Sequence, residues 1–451
     1  MTSPFGGGDH DAGVYATSPP PEARREFRAT AMGYRDLWQR GGMHVRGAPL
    51  NPWTTLTLLG LLGAAGCGAA TVVQTAADAS PSDAPPRDVA PDSGGCPVPA
   101  APGDAEAPSV LDLAVAEQLS QCALMSDGTV RCRGRNLFGQ LGLGRGDTDI
   151  HEPTTVPCLV EVEQVVSGLS ASTCTRHRDG TVRCWGTNEL GLAGVGHDAD
   201  ERCNTFRCRP TPTLVRGLTD VVFLAGSRRT NCAVRRDGSV WCWGSSALAT
   251  SSDSPTPRLV PGYRDVVALW PRGEGFVVRF RDGHYEANVF GRMIDIPSDA
   301  TLDGAAGTNH LCYRLPDGTV RCLGTNANGK VGNGSSAWPG DVTEAVDPGL
   351  RGVRSVVTGS YHSCAILADG TVSCWGSNVL GALGFTTTQT CAGIGSTSEC
   401  ATRPGVVPGV DHVAQLFLGV WGTCALRLDR SVWCWGGLSP TRSMVPAPVD
   451  W

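Results

Sequence analysis

The sequence predicts an all-β chain assembled from seven repeats. Three observations carry this: a recurring phrase, the cysteines placed within it, and a composition suited to strands and tight turns. The phrase reads CALMSDGTVRCRG from Cys122, CTRHRDGTVRCWG from Cys174, CAVRRDGSVWCWG from Cys232, CYRLPDGTVRCLG from Cys312, CAILADGTVSCWG from Cys364 and CALRLDRSVWCWG from Cys424. A further copy, VVRFRDGHYEANV from Val277, keeps Asp282 and Gly283 but has Val277 and Ala287 where the others have cysteine. The central aspartates (Asp127, Asp179, Asp237, Asp282, Asp317, Asp369 and Asp429) recur about every 50 residues, a period that means propeller blades or solenoid turns. Glycine at 59 and proline at 31, with short β-branched apolar runs, favour strands joined by turns over helices.

Each part of the repeat follows from local chemistry. Two alternating strands flank x-Asp-Gly, a three-residue loop whose glycine takes the left-handed conformation, so the phrase is a β-hairpin. Centring the loop on Asp369 sets Cys364 opposite Cys374, a non-hydrogen-bonded pair with Cα atoms about 4.5 Å apart, within disulfide range. The same reading pairs Cys122 with Cys132, Cys174 with Cys184, Cys232 with Cys242, Cys312 with Cys322, and Cys424 with Cys434. The Val277 copy loses both cysteines together, which a lone catalytic thiol does not explain, and no CxxC spacing supports zinc. Ahead of the hairpin lies a short apolar strand ending in glycine, as in SVVTG; after it come W-G-x-N, G-x-x-G and a Pro-Val strand, as in PTPTLV. That makes four short strands per unit.

With these parts in place the chain resembles the regulator of chromosome condensation repeat family, whose units begin G-x-x-H-[ST]-x-[AC]-L, turn on D-G-x-V and continue W-G-x-N and G-Q-L-G. Gly359, His362, Ser363, Asp369, Gly370, Val372, Trp375, Gly376, Asn378, Gly381 and Leu383 match that pattern, and Gly139, Gln140, Leu141 and Gly142 give its last motif intact. The resemblance implies a seven-bladed β-propeller over residues 109–451, with the Val277 blade degenerate. The paired cysteines depart from most intracellular members and fit an exported branch. The C-terminal VPAPVDW and the strand SVLDLAVAEQ from Ser109 are expected to meet in one blade, which would remove open edges.

Nineteen cysteines are too many for a reducing cytosol unless they bind metal. Residues 43–66 read as a signal peptide: Arg46 leads an apolar run of 13 residues from Trp53 to Ala65, too short to span a bilayer, and small residues precede Cys67. The stretch is similar to a bacterial lipoprotein signal, so Cys67 is expected to be lipidated and to become the mature N-terminus. Residues 1–42 do not fit ahead of such a signal and are expected to be a non-native upstream extension, with translation starting at Met43. Residues 67–108, rich in Ala, Pro, Asp and Ser, read as a disordered tether.

A formal charge of -6 provides no basic field for nucleic acid, and Arg228, Arg229, Arg235 and Arg236 read as a solvated face. No G-x-S-x-G, H-E-x-x-H, Walker or dinucleotide pattern occurs, and neither a cofactor nor a catalytic residue is expected. His310 and His362 recur at the family's histidine position and read as hydrogen-bonded packing residues; Trp185, Trp243, Trp375 and Trp435 read as wall packing. Asp198, Asp200 and Glu201 lack the ligand spacing of a calcium loop, so no metal is expected, and Arg145-Gly146-Asp147 is a chance match. Insertions at the same point of two units carry their own cysteine pairs, Cys203 with Cys208 and Cys391 with Cys400, and are expected to emerge on one ring face and stiffen it for binding. Cys96 and Cys158 are expected to tie the tether to the first blade. The expectation is a monomeric, non-enzymatic protein of the bacterial cell envelope, lipid-anchored at the outer membrane or cell surface or else secreted, that binds a protein or glycan on one propeller face. The alternatives are a secreted inhibitor of an envelope or extracellular enzyme, and an envelope hydrolase or lyase using the central channel.

Overall fold

Each Asp-Gly phrase folds as a hairpin, and its own residues enforce the geometry. Asp369 Oδ1 accepts from the Thr371 amide at 2.9 Å and from its hydroxyl at 2.7 Å. The next residue, Gly370, sits at φ 83°, a region open to glycine without steric cost. Across the turn Cys364 stands directly opposite Cys374, and the same register holds in the five other cysteine-bearing phrases. In all six the Cα atoms lie 4.1 Å apart and the structure joins the sulfurs, the close spacing of a non-hydrogen-bonded antiparallel pair.

The computed structural model describes residues 107–451 except 117–118, 147, 169–170, 199, 246–252, 273–274, 290, 305–306, 308, 337–339 and 393–396. The expected signal, Cys67, the tether, Cys96 and the upstream extension all lie outside the described residues. Seven sheets follow one another in chain order and close into a seven-bladed β-propeller. Blade 1 runs from the inner strand Val110–Val115 through Ser120–Met125 and Val130–Gly134 to the outer strand Ile150–Thr155. Blades 3, 4 and 7 also have four strands, while blades 2 and 6 have five, because their insertions fold back as short strands, Glu201–Cys203 and Thr390–Ala392.

The blade that lacks cysteine is not the irregular one. Val277 lies opposite Ala287 in the cysteine register of a complete sheet. Among the described residues the irregularity falls on blade 5, which has three strands and a bridge from Thr301 to Arg314 where an inner strand belongs. Its sequence there, TLDGAAG, lacks the β-branched alternation that a strand needs.

Apolar side chains are buried between blades rather than within one central core. Seven clusters fill the seven junctions, from Leu141, Val165 and Trp185 between blades 1 and 2 to Leu113, Met125, Leu426 and Val432 between blades 7 and 1. This last cluster closes the ring and corrects the expectation that both termini share a blade. Val110–Val115 belongs to blade 1, and the C-terminal strand Ala447–Val449 completes blade 7 by pairing with Val432–Gly436. Each end finds its full set of partners locally, so closure rests on side-chain packing. Arg133 completes that junction: its guanidinium donates to Gln121 Oε1 at 2.8 and 3.0 Å and lies 4.7 Å from the Trp451 ring centre.

Four other junctions share one device. The tryptophan after the second cysteine donates its indole N–H to a carbonyl in the G-x-x-G loop of the preceding blade: Trp185 to Gln140, Trp243 to Leu192, Trp375 to Lys330 and Trp435 to Ala382, at 2.9–3.0 Å. The residue before the first cysteine (Thr173, Asn231, Ser363 or Thr423) donates to the same carbonyl. The loop's second glycine makes room for the ring. A Cβ on Gly142 would sit 2.8 Å from Trp185 Nε1.

The outer edges are blunted against further pairing. Pro153, Pro210, Pro212, Pro255, Pro257, Pro404 and Pro448 lie in outer strands, where a missing N–H blocks sheet extension. Blade 5 uses Asp341 and Glu344 instead, and blade 4 a three-residue strand.

Candidate binding face and central channel

Strand order assigns each loop to a ring face. The first and third strands of a blade run the same way, so the loops that follow them share one face with both insertions. The Asp-Gly turns and inter-blade links share the other.

The turn face carries several ion pairs. Arg176 pairs with Glu163 at 2.7 Å, Arg178 with Glu161 at 3.2 Å and Arg427 with Asp411 at 2.7 Å, while Asp347 lies between Arg321 and Arg351 at 3.3 and 2.9 Å. Hydrogen bonds from the following Ser or Thr hold the turn carboxyls of Asp237, Asp317, Asp369 and Asp429 below the usual carboxylate range. The four arginines read as one cluster do not gather on a face: Arg229 precedes and Arg236 follows the strand Thr230–Arg235, which carries them to opposite ends of the blade.

The insertion face has a different character. Tyr361 and Trp421, in the loops after the inner strands of blades 6 and 7, stack with ring centres 4.8 Å apart and planes 15° from parallel. Both are half-buried. Lys330, from the blade 5 loop, sets its ammonium 5.8 Å from the Tyr361 ring centre. This row crosses three blades, and nothing in the repeat pattern announced it, because the positions of Tyr361 and Trp421 vary from blade to blade.

Each insertion is a disulfide-tied hairpin, Cys203 to Cys208 and Cys391 to Cys400, with Cα atoms 5.8 Å apart. Both lean back over the preceding blade. Asn204 donates to the Leu137 carbonyl at 2.8 Å and Phe206 meets Phe138 edge-on at 5.1 Å; in blade 6, Ser398 donates to Asn328 Oδ1 at 3.3 Å. They brace the ring as well as extending its face. Asp198, Asp200 and Glu201 do not converge. The buried Asp200 carboxylate accepts from Asn188 at 2.7 Å and pairs with His197 at 2.9 Å and Arg209 at 3.0 Å, so a cation already occupies the place a metal would need.

His310 and His362 act across junctions. Each brings Nε2 to the hydroxyl of the next blade, Ser363 at 2.7 Å and Thr423 at 2.8 Å, and these are the hydroxyls that donate to the loop carbonyls of Lys330 and Ala382. A hydroxyl donating onward accepts from the ring, which makes Nε2 the protonated nitrogen. Burial pushes the His362 imidazole down to about 4, so it stays neutral. Cys158 is disulfide-bonded, and its expected partner Cys96 lies outside the described residues.

The inner strands surround a channel of about 660 Å³. Six of them carry the same β-bulge, between Val110 and Asp112, Val162 and Gln164, Val221 and Phe223, Val266 and Ala268, Val353 and Ser355, and Val413 and Gln415. A bulge leaves backbone groups without a ladder partner, and neighbouring blades supply one. Gln164 donates to the Leu224 carbonyl at 2.9 Å and accepts from its N–H at 3.0 Å, Asp303 accepts from the Val356 N–H at 3.2 Å, and Arg354 donates to the Val413 carbonyl.

The fold is thereby defined: a seven-bladed propeller whose junctions, fixed by tryptophan and G-x-x-G loops, are similar to those expected of regulator of chromosome condensation repeats. The family model for the regulator of chromosome condensation (RCC1) repeat matches residues 353–382, in blade 6. Among curated relatives, the ultraviolet-B receptor UVR8 of Arabidopsis thaliana is 24% identical over 279 residues, 55% of this chain and 60% of the receptor. The human E3 ubiquitin-protein ligase HERC2 is 26% identical over 298 residues, 59% of this chain but 6% of the ligase. Prp20p from Saccharomyces cerevisiae, whose structure was described with its binding to Gsp1p and histones, superposes with a TM-score of 0.61 at 20% identity, covering 73% of this chain and 87% of that one. This last likeness is one of fold.

Proposed function

We propose that the chain is a non-enzymatic, extracytoplasmic binding protein, anchored through lipid on Cys67 and presenting its insertion face to a protein partner. The observation that carries the reading is the half-exposed Tyr361–Trp421 stack on the face that bears both disulfide-tied hairpins. Tyrosine and tryptophan dominate the energetics of protein contacts, and loops held rigid before binding lose less entropy when they bind. On the opposite face Arg176, Arg178 and Arg427 are already paired with carboxylates. Buried cystine pairs suit an oxidising compartment, and among the described residues no helix is long and apolar enough to cross a membrane. Binding of Gsp1p and histones belongs to Prp20p; an exported propeller meets neither, so the partner is an envelope or extracellular protein. The tether of residues 67–108, pinned by a bond from Cys96 to Cys158, would hold the ring clear of the membrane.

The test is photocrosslinking in the source cells. A benzophenone amino acid replaces Glu399, exposed on the insertion face, or Asp369, exposed on the turn face. An adduct from position 399 that Trp421→Ala weakens at least tenfold supports the reading. Adducts from position 369 alone, or equally from both, overturn it.

A further inference from the structure

Among the described residues, the channel holds one carboxylate that no neighbouring blade bonds. Gln164, at the bulge of blade 2, and Asp303, in the inner segment of blade 5, each bond backbone of the neighbouring blade, as does Arg354 beside the bulge of blade 6. Asp112 holds the place of Gln164 in blade 1, yet among the described residues its carboxylate accepts only from the N–H of Leu113, the adjacent residue, at 2.8 Å. Burial pushes this carboxyl up to about 6, opposed by that one hydrogen bond.

The surroundings specify what would satisfy it. Phe223 and Trp270 meet edge-on at 6.0 Å on one side of the channel, and Phe417 lines it from blade 7. Asp303 adds a second acid, and the one basic side chain of the lining among the described residues, Arg354, is bonded to the Val413 carbonyl. An anion would face two carboxylates, and a neutral molecule would leave Asp112 as it is. A cation on an apolar stem would give the carboxylate a charge-assisted hydrogen bond and present its own charge to aromatic faces. The volume falls in the range of small-molecule sites.

We propose that the central channel is a binding site for an organic cation, an ammonium or guanidinium group on an apolar stem, with Asp112 as its counter-ion and Trp270, Phe223 and Phe417 as its aromatic wall. The cation has two sources, a free amine or a basic side chain inserted by a partner, and the probes separate them.

Calorimetric titration of the oxidised full chain uses 2-phenylethylammonium for the first source, Nα-acetyl-lysine amide for the second and 2-phenylethanol as the uncharged control. The wild type should bind at least one of the two cations. Asp112→Asn, whose amide oxygen still accepts from Leu113, should bind it at least tenfold more weakly while leaving 2-phenylethanol within twofold. Asp303→Asn, at a carboxylate already bonded to Val356, should leave cation affinity within threefold. Whichever cation binds more tightly identifies the source. If Asp112→Asn does not fold, the carboxyl carbon resonance of Asp112 in the wild type must shift on saturation with the bound cation and stay in place with 2-phenylethanol. No binding by either cation, equal affinity in Asp112→Asn, or a resonance that does not move overturns the proposal.

Discussion

Removing the two donors to the Gln140 carbonyl, one at a time and together, probes how the blades are held. Thr173→Val keeps the side-chain shape but loses the 3.2 Å hydrogen bond to Gln140 and a 3.2 Å contact with the half-buried Ser167 hydroxyl, which can turn to solvent; Trp185→Phe loses one of 2.9 Å and part of a ring that is fully buried. A net hydrogen bond contributes about 1 kcal/mol, so Thr173→Val should cost ~1 kcal/mol, and Trp185→Phe ~2 kcal/mol once lost packing is added. In each single variant the carbonyl keeps its other donor. In the double variant it loses both at a buried position, and an unsatisfied buried group costs a further ~1–2 kcal/mol. The assay is equilibrium guanidinium unfolding with the disulfides intact, supported by thermal midpoints that shift by ~2 °C per kcal/mol. Single-variant costs that add to the double-variant cost within ~0.5 kcal/mol would refute the shared-acceptor account.

Three further outcomes follow from the same geometry. The imidazole of His362 is held at about 4 against an ordinary value near 6.5, so the unfolded chain binds the extra proton between those values. Stability should fall as pH drops from about 6.5 towards 4, by on the order of 3 kcal/mol; His362→Gln should flatten that slope in unfolding curves taken across the range. Gly142→Ala places a methyl 2.8 Å from Trp185 at φ 73° and should cost several kcal/mol, whereas Gly196→Ala, at φ 77° with open space around it, should cost about 1 kcal/mol, both read by thermal midpoint. Because Val277 faces Ala287 in the cysteine register, Val277→Cys with Ala287→Cys should oxidise spontaneously and add ~2–3 kcal/mol, seen as a midpoint gain that reductant abolishes.

The hairpins, their register and their number were legible because alternation, Asp-Gly and paired cysteines are all local signals. The junctions were half legible. Tryptophan follows the second cysteine in blades 2, 3, 6 and 7, and each of those blades comes after one that carries G-x-x-G. The pairing is written in the chain, but only across repeat boundaries, where a reading unit by unit does not look. Ring closure was misread because Arg133 stands in the tryptophan place of blade 1 and Pro-Val at the C-terminus resembles an incoming strand. The channel chemistry was hidden for another reason. A bulge changes which residues of a strand face inward, so the inward direction of Asp112 depends on a register shift that period-two alternation does not encode.

The account depends most directly on six hairpins bridged by their own sulfurs in an oxidising compartment. Peptide mapping of thiol-blocked, unreduced protein recovered from the source cells tests it. The account expects cystine peptides joining Cys122 to Cys132, Cys174 to Cys184, Cys232 to Cys242, Cys312 to Cys322, Cys364 to Cys374 and Cys424 to Cys434, together with an acylated N-terminal peptide beginning at Cys67. Alkylated free cysteines at those twelve positions, or bonds linking different blades, would contradict it.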